Sequence, residues 1–396
     1  MNGLLFFNHQ TINSSFDPSS LVLMNGVAII RWDNSAKALQ AIGYCLVERQ
    51  SFFIVSSAWS KPFYTPFLSL INDHSCPAAS CLIATSGTAG VPKLCVHPIA
   101  NLFLAAERAT STLPSMNLAE FVLALPPVAM GGLLTIVKAL SLQRPIYLSA
   151  DHWLTNLAQL SQPALAIVPQ QVPKLVQHLT RYPQGVHSIL IGGDALPPQH
   201  RQQLKNINCP ISISYGATET AGQIMASMYS DDLSAPLSPL AGITVMTSDA
   251  GQLLIKAPTL ATGYLTINGI IPLPVNSDGF FVSNDVVELT PQFKVLGRVD
   301  FQFKNGGQMV NPEMIEAAFK SAGLVEHMLV VPHPDQTLGN VPVAFINDKT
   351  KQDRLTAFAL EHLPIHLRPT TYRKLPNGFE FSDPLLRRKL LAHIGA

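Results

Sequence analysis

The chain has few charged residues, and this scarcity excludes several classes of protein. Asp, Glu, Lys and Arg make up 13% of its 396 residues, hydrophobic residues make up 47%, and the formal net charge is +1. This composition is typical of a globular protein with a large core and two or three domains, not of a disordered chain. Because no charge of one sign dominates, we expect no nucleic-acid partner and no anionic membrane surface.

Cysteine is also scarce, and no CxxC pair occurs. The five cysteines are Cys45, Cys76, Cys81, Cys95 and Cys209. The odd number argues against a disulfide framework, and no neighbouring His/Cys pair completes a zinc site with Cys76 and Cys81. We therefore expect reduced thiols and a cytoplasmic protein.

Targeting and membrane-spanning segments are not evident either. The N-terminus has no basic region followed by an apolar region with a cleavage site. The apolar stretch 121–140 approaches membrane length, but two prolines, two glycines and Lys138 interrupt it. A buried strand, a turn and a buried helix explain this stretch better than a membrane span.

The chain contains alternating strand and helix patterns. Short apolar runs over 121–125, 165–168, 188–191 and 211–214 end at Gly or Pro, and residues 170–182 show helical spacing. This rhythm predicts parallel sheets flanked by helices. From about 240 to 299, short runs over 243–246, 252–256, 279–282 and 286–289 predict a small β-barrel or sheet. Residues from about 301 predict a small α+β domain with a helix from Pro312.

A loop rich in Thr, Ser and Gly follows the apolar run 81–84. Residues 85–93 read TSGTAGVPK, with hydroxyl groups, small residues and a terminal Lys93. Backbone N–H groups, hydroxyls and a mobile positive charge suit a phosphate. The spacing matches neither the Walker A loop nor GxGxxG, and a flexible surface loop is the alternative.

Three further segments carry candidate binding groups. Residues 215–220, YGATET, follow a predicted strand, so Tyr215 could stack on a base and Glu219 could hold Mg²⁺, unless Thr218 merely caps a turn. Asp285 and Arg298 could grip a ribose diol, or form an ordinary surface ion pair. Residues 304–313 contain a Gly-Gly turn and a helix start at Pro312.

Together these segments resemble the adenylate-forming superfamily of acyl-CoA ligases, luciferases and nonribosomal adenylation domains, over about residues 80–380. The short region before the phosphate loop is most similar to the o-succinylbenzoate–CoA ligases of menaquinone and phylloquinone synthesis. By this resemblance the catalytic residues are Lys93, Thr218 and Glu219, with Glu219 as magnesium ligand. The residues expected to bind ATP are Thr85, Ser86, Gly87, Thr88, Gly90, Lys93, Gly192, Gly193, Asp194, Tyr215, Gly216, Asp285 and Arg298.

The resemblance implies that ATP and a carboxylic acid form an acyl-adenylate, from which coenzyme A displaces AMP. It implies an N-terminal domain over 1–299, a mobile C-terminal domain over 300–396 and a hinge at Asp300. ATP, Mg²⁺ and coenzyme A are the expected co-substrates, and the acid is an aromatic one such as o-succinylbenzoate. A homodimer is left open.

One position departs from the family pattern. The family's C-terminal catalytic lysine aligns with Glu380, and the other lysines near it are Lys374 and Lys389. A carboxylate there would repel the α-phosphate, and losing a transition-state cation costs about a hundredfold or more in rate. Two alternatives stay open. One is an adenylation protein that loads a carrier protein, since the family uses the same thiol tunnel for both acceptors, and the other, favoured by Glu380, is a nucleotide-binding homologue impaired in adenylation.

Overall fold

The computed structural model describes two compact units. The described residues are 4–5, 16–85, 93–112, 120–148, 154, 157, 160–181, 186–194, 196, 198–227, 233, 235–249, 251–290, 292–298, 303–310, 312–347, 352–381, 387, 390, 391 and 394. The first unit comprises residues 1–57, 68–84 and 94–296, and the second comprises 58–67, 85–93 and 297–396. The sequence-derived domain boundary at 299/300 and the hinge Asp300 lie outside the described residues and stay predictions.

The helices of the described residues are short to medium in length. They are α1 (Ala36–Val47), α2 (Lys61–Asp73), α3 (Ile99–Thr112), α4 (Met130–Ser141), α5 (Val172–Arg181), α6 (Pro198–Leu204), α7 (Pro312–Ser321) and α8 (Gln352–His362). Within the described part of the chain, no helix combines the length and apolar character that a membrane crossing needs.

The strands are numbered in chain order. Those up to residue 226 are β1 (Leu4–Leu5), β2 (Val22–Met24), β3 (Val27–Trp32), β4 (Phe52–Ser56), β5 (Ser80–Thr85), β6 (Lys93–Pro98), β7 (Glu120–Val122), β8 (Ile146–Tyr147), β9 (Pro163–Ile167), β10 (Ser188–Ile191), β11 (Ile211–Ala217) and β12 (Gly222–Ala226). The later strands are β13 (Ser238–Pro239), β14 (Thr244–Thr247), β15 (Gln252–Lys256), β16 (Gly263–Thr266), β17 (Gly269–Pro272), β18 (Phe281–Glu288), β19 (Lys294–Arg298), β20 (Phe303–Asn305), β21 (Gln308–Val310), β22 (Met328–Asp335), β23 (Gly339–Ile346) and β24 (Thr371–Arg373).

An eight-stranded sheet in the order β1-β8-β7-β9-β10-β11-β12-β13 positions the candidate site. Strands β7, β9, β10 and β11 run parallel, with Ile189 paired to Leu165 on one side and Ile211 on the other. All four residues of β10 are buried, as expected for a strand covered on both faces. The predicted buried parallel strands are therefore confirmed, and their carboxyl ends share one edge.

A seven-stranded sheet in the order β17-β16-β6-β5-β4-β3-β2 lies in the same part of the chain. Strands β3, β4 and β5 are parallel, whereas β16 pairs antiparallel with β6. The core cluster of the first unit contains Phe52 from β4, Leu39 from α1, Leu102 from α3 and Leu133 from α4, all of them fully buried. The strand–turn–helix prediction for 121–140 is confirmed by β7 and α4.

The β-rich segment after residue 240 forms a sheet, one of the two alternatives that its sequence predicted, and one of its strands is longer than expected. Among the described residues it forms an open four-stranded sheet, β14-β15-β18-β19, not a closed barrel. The reason is that β16 and β17 leave this segment and pair with β6 instead. The runs 279–282 and 286–289 also contribute to one strand, β18, because Ser283 and Asp285 between them are buried, and the Ser283 carbonyl accepts a hydrogen bond from Gln252 over 3.1 Å.

The second unit contains an α+β core as the sequence predicted. Its sheet has the order β21-β20-β23-β22, with β24 pairing parallel to β23. Helices α7 and α8 contribute the buried Ile315, Phe319 and Leu355 to a cluster with Val330 from β22. Arg387 connects the end of the chain to this core by an ion pair of 2.8 Å with Glu316.

Candidate active site

Two of the sequence motifs meet at the carboxyl edge of the eight-stranded sheet. Gly192, Gly193 and Asp194 follow β10, and Tyr215 lies near the end of the neighbouring β11. A Cβ atom at Gly192 would lie 2.5 Å from the Ser214 hydroxyl, so only glycine allows this close approach. Open parallel sheets bind ligands at this edge, and the geometry therefore offers a ligand crevice here.

Tyr215 makes a contact that the sequence did not reveal. Its hydroxyl donates a hydrogen bond to the carboxylate of Asp285, 70 positions later in the chain. Its ring lies against Phe293, with 4.7 Å between the ring centroids and 55° between the planes. Asp285 is only 8% exposed and its backbone N–H donates to the Ser283 hydroxyl. The two residues that were expected to contact base and ribose thus lie side by side.

The Thr218–Thr220 segment forms a tight helical turn directly after β11. The Thr220 hydroxyl is fully buried and bonds to the Gly222 carbonyl over 2.7 Å, and Ala221 closes the turn with a φ of 54°. Gly216 is required here, because a Cβ at this position would overlap the carbonyl of Gly222 on β12. The turn is therefore tightly specified by local contacts.

Glu219 extends from this turn and contacts Tyr264 on β16. The Tyr264 hydroxyl donates to Oε1 of Glu219 over 2.7 Å, a short distance typical of a bond to a charged carboxylate. Mg²⁺ prefers oxygen ligands and often takes only one or two carboxylates plus phosphate oxygens. Glu219 fits that role, and no group of three potential metal ligands occurs among the described residues.

His97 forms a hydrogen bond with Thr218, the first residue of this turn. It is fully buried in β6, and its Nε2–H donates to the Thr218 carbonyl over 2.7 Å. Burial lowers the pKa of His97 to about 4, although the bond to Thr218 opposes part of this effect. The imidazole is therefore neutral at pH 7 and serves as a hydrogen-bond donor.

The remaining predicted residues lie at the ends of strands or outside the described residues. Thr85 ends β5, and Lys93 begins β6 as a partly exposed residue. Arg298 ends β19. The predicted phosphate-loop residues Ser86, Gly87, Thr88 and Gly90 lie outside the described residues.

In the second unit, Glu380 and Lys374 line the same cavity. Glu380 and Lys374, both exposed, border one open cavity of about 460 Å³ together with Phe379 and Phe381. The sequence separates these two charges by six positions, whereas the structure places them at the same cavity. Lys374 therefore borders the same cavity as Glu380.

Sequence reasoning missed His97 and Tyr264. His97 carried one usable signal: it lies four residues after Lys93 and is a polar residue within an apolar strand, on the same strand face. Tyr264 carried none, because its contact with Glu219 depends on the pairing of β16 with β6, where Tyr264 lies opposite Cys95.

Comparison with known proteins agrees with this architecture. Residues 72–265 match the family model described as AMP-binding enzyme. The 2-succinylbenzoate–CoA ligase of Bacillus licheniformis is 26% identical over 338 residues, covering 80% of this chain and 69% of the relative. That of Salmonella typhimurium is 28% identical over 317 residues, covering 78% and 67%.

Solved structures share the fold. A double mutant of o-succinylbenzoate CoA synthetase from Bacillus subtilis, bound to a product analogue, has a TM-score of 0.74 at 20% identity, covering 92% of this chain and 88% of that one. A malonyl-CoA ligase with methylmalonyl-CoA and AMP bound has a TM-score of 0.73 at 19% identity, covering 88% and 89%. Residues 72–265 therefore match the AMP-binding enzyme family, and the fold of the chain is that of these solved ligases.

Proposed function

We propose that the chain is an AMP-forming acid–thiol ligase. It would join ATP and a carboxylic acid into an acyl-adenylate with release of pyrophosphate, and then transfer the acyl group to coenzyme A with release of AMP. The observation that carries this proposal is the arrangement of Glu219 on a rigid turn after β11, whose Tyr215 bonds to Asp285. Glu219 offers a carboxylate for a cation, and Tyr215 with Asp285 offers an aromatic ring and a carboxylate for a nucleoside. Together these groups suit a magnesium–nucleotide complex.

The roles in this proposal follow from the chemistry of each group. Asp285 accepts hydrogen bonds from the ribose, Tyr215 lies against the base, and Glu219 binds the magnesium ion. Lys93 and the preceding loop bind the phosphates. Magnesium, when bound, neutralises phosphate charge, so that an anionic carboxylate can approach the α-phosphorus. A rotation of residues 300–396 about Asp300 between the two half-reactions remains part of the proposal.

For the acid, we propose an aromatic carboxylate of the o-succinylbenzoate type. The support is the name shared by relatives at 26–28% identity. A solved relative from Bacillus subtilis in complex with ATP and magnesium ion, with a TM-score of 0.57 at 20% identity and coverage of 93% and 90%, supports ATP and Mg²⁺ as co-substrates.

Glu380 favours a second candidate, a homologue that is impaired in adenylation. The carboxylate is exposed and borders the same cavity as Lys374. If Lys374 supplies the missing cation, adenylation proceeds; if it does not, only acyl transfer from a preformed acyl-adenylate remains.

The test measures the two half-reactions separately. Pyrophosphate release is followed with ATP, Mg²⁺ and a panel of acids including o-succinylbenzoate, and thioester formation is followed from synthetic o-succinylbenzoyl-adenylate and coenzyme A. We expect release with o-succinylbenzoate, and a loss of about a hundredfold or more in Lys93→Ala. Release without any acid preference, or no reaction in either assay, would overturn the ligase proposal.

Charge variants in the second unit separate the two candidates. Lys374→Ala abolishes pyrophosphate release if Lys374 replaces the family lysine, whereas Glu380→Lys raises release strongly if the chain is impaired. Glu361→Lys, which introduces the same charge at an exposed position of α8, is the matched control and should change neither rate. Thioester formation without pyrophosphate release would identify the impaired homologue.

A further inference from the structure

Three consecutive backbone carbonyls of the Thr218–Thr220 turn accept hydrogen bonds from other segments. His97 donates to the carbonyl of Thr218 over 2.7 Å, and the backbone N–H of Ala261 donates to that of Glu219 over 2.8 Å. The hydroxyl of Thr259 donates to the carbonyl of Thr220 over 2.9 Å. The backbone of Glu219 is therefore fixed on both sides, and only its side-chain torsions remain free.

Tyr264 restricts the side-chain torsions of Glu219. A glutamate side chain has three rotatable bonds, so a fixed backbone does not by itself place its carboxylate. The Tyr264 hydroxyl bonds to Oε1 of Glu219 over 2.7 Å, which orients the second oxygen, Oε2. An outer residue that orients a metal-binding side chain in this way raises metal affinity without touching the metal.

The Tyr264 ring is itself held in place. It packs beside the cluster that contains Cys95, Ile255 and Phe281. Its backbone pairs with Cys95 of β6 on one side and Ile271 of β17 on the other. The hydroxyl therefore has a defined position with respect to Glu219, which is what a positioning role requires.

We propose that Tyr264 is a positioning residue for Glu219: its hydroxyl fixes one carboxylate oxygen and so presents the other to the magnesium ion of the bound nucleotide. This inference rests on the proposed function, because it takes Glu219 as the magnesium ligand. It adds a residue from β16, 45 positions later in the chain, to the metal site.

The experiment measures metal binding directly. Mn²⁺ binding to the full-length protein in the presence of α,β-methylene ATP is followed by electron paramagnetic resonance, and thermal unfolding is followed in parallel. In Tyr264→Phe, which keeps the ring and removes the hydroxyl, we expect Mn²⁺ affinity to fall about tenfold. The unfolding temperature and the affinity for the nucleotide without metal should change little.

A matched control removes another hydroxyl that bonds to the same turn from a different segment. Thr259→Val deletes the bond to the Thr220 carbonyl, which does not involve the carboxylate, and should leave Mn²⁺ affinity within about twofold of the wild type. If Tyr264→Phe binds Mn²⁺ as the wild type does, or if both variants lose affinity equally along with stability, Tyr264 has only a structural role and the inference is wrong.

Glu219→Gln distinguishes failure of this inference from failure of the proposed function. Loss of Mn²⁺ binding in Glu219→Gln with unchanged binding in Tyr264→Phe overturns only the role of Tyr264. Unchanged Mn²⁺ binding in Glu219→Gln overturns the metal role of Glu219 and the inference together.

Discussion

The buried neutral His97 makes the stability of the first unit depend on pH. Burial lowers the pKa of His97 to about 4 from 6.5, so the unfolded chain binds a proton that the folded chain does not bind. Folding is therefore penalised as pH falls below 6.5, and the penalty levels off below the folded pKa. Linkage between these two values gives a loss of about 3 kcal/mol at pH 4 and about 2 kcal/mol at pH 5, relative to neutral pH.

The substitution His97→Gln removes the titration while keeping an N–H that can reach the Thr218 carbonyl. At pH 7 we expect the variant to be less stable by about 2 kcal/mol, because the buried site loses packing and an aligned hydrogen bond. Since the wild type loses about 3 kcal/mol from this group on acidification and the variant does not, the two stabilities should cross between pH 4 and pH 5. Urea titrations at pH 7, 6, 5 and 4 measure this difference.

Asn101→Ala is the matched control. Asn101 also donates to a backbone carbonyl in the first unit, that of Leu260 over 2.8 Å, but its amide does not titrate. Its destabilisation should stay constant across the same pH range. A wild-type advantage over His97→Gln that is equally constant from pH 7 to pH 4 would refute the reasoning, because it would mean that His97 titrates alike in the folded and unfolded chain.

Two other predictions concern packing and charge. Arg387→Ala removes the cation beside the half-buried carboxylate of Glu316, which keeps its bond from the Val330 N–H, and should cost about 3 kcal/mol in urea titrations. Arg373→Ala, at an exposed arginine, should cost less than about 0.5 kcal/mol, and equal losses in the two variants would contradict the stabilising role of the Arg387–Glu316 pair. Gly216→Ala places a Cβ against a carbonyl of β12 and should lower the free energy of unfolding by about 3 kcal/mol. Gly279→Ala is the control: its Cβ meets no atom, but its φ of +78° should cost about 1 kcal/mol. Similar melting temperatures for the two variants would contradict the overlap at Gly216.

Most of the secondary structure could be predicted because burial imprints a local period on the chain. The strands β9, β10 and β11 and the helix α5 agree with the runs of Val, Ile and Leu that predicted them. The division of the β-rich segment could not be predicted, since an apolar run reports that a strand is buried but not which strand lies beside it. This is why β16 and β17, which lie within the segment predicted as a small barrel or sheet, pair with β6 in another sheet.

The same distinction applies to the candidate site. The amino-acid sequence alone identified the candidate residues, because their motifs resemble those of the adenylate-forming enzymes and offer groups that suit a phosphate, a cation and a nucleoside. These candidates include Lys93, Tyr215, Glu219 and Asp285. Their contacts depend on the three-dimensional fold: Tyr215 bonds to Asp285 across 70 positions of the chain, and His97, which the sequence did not single out, bonds to Thr218 across 121. Those contacts arise from the pairing of strands far apart in the chain, and pairing depends on packing that no local pattern encodes.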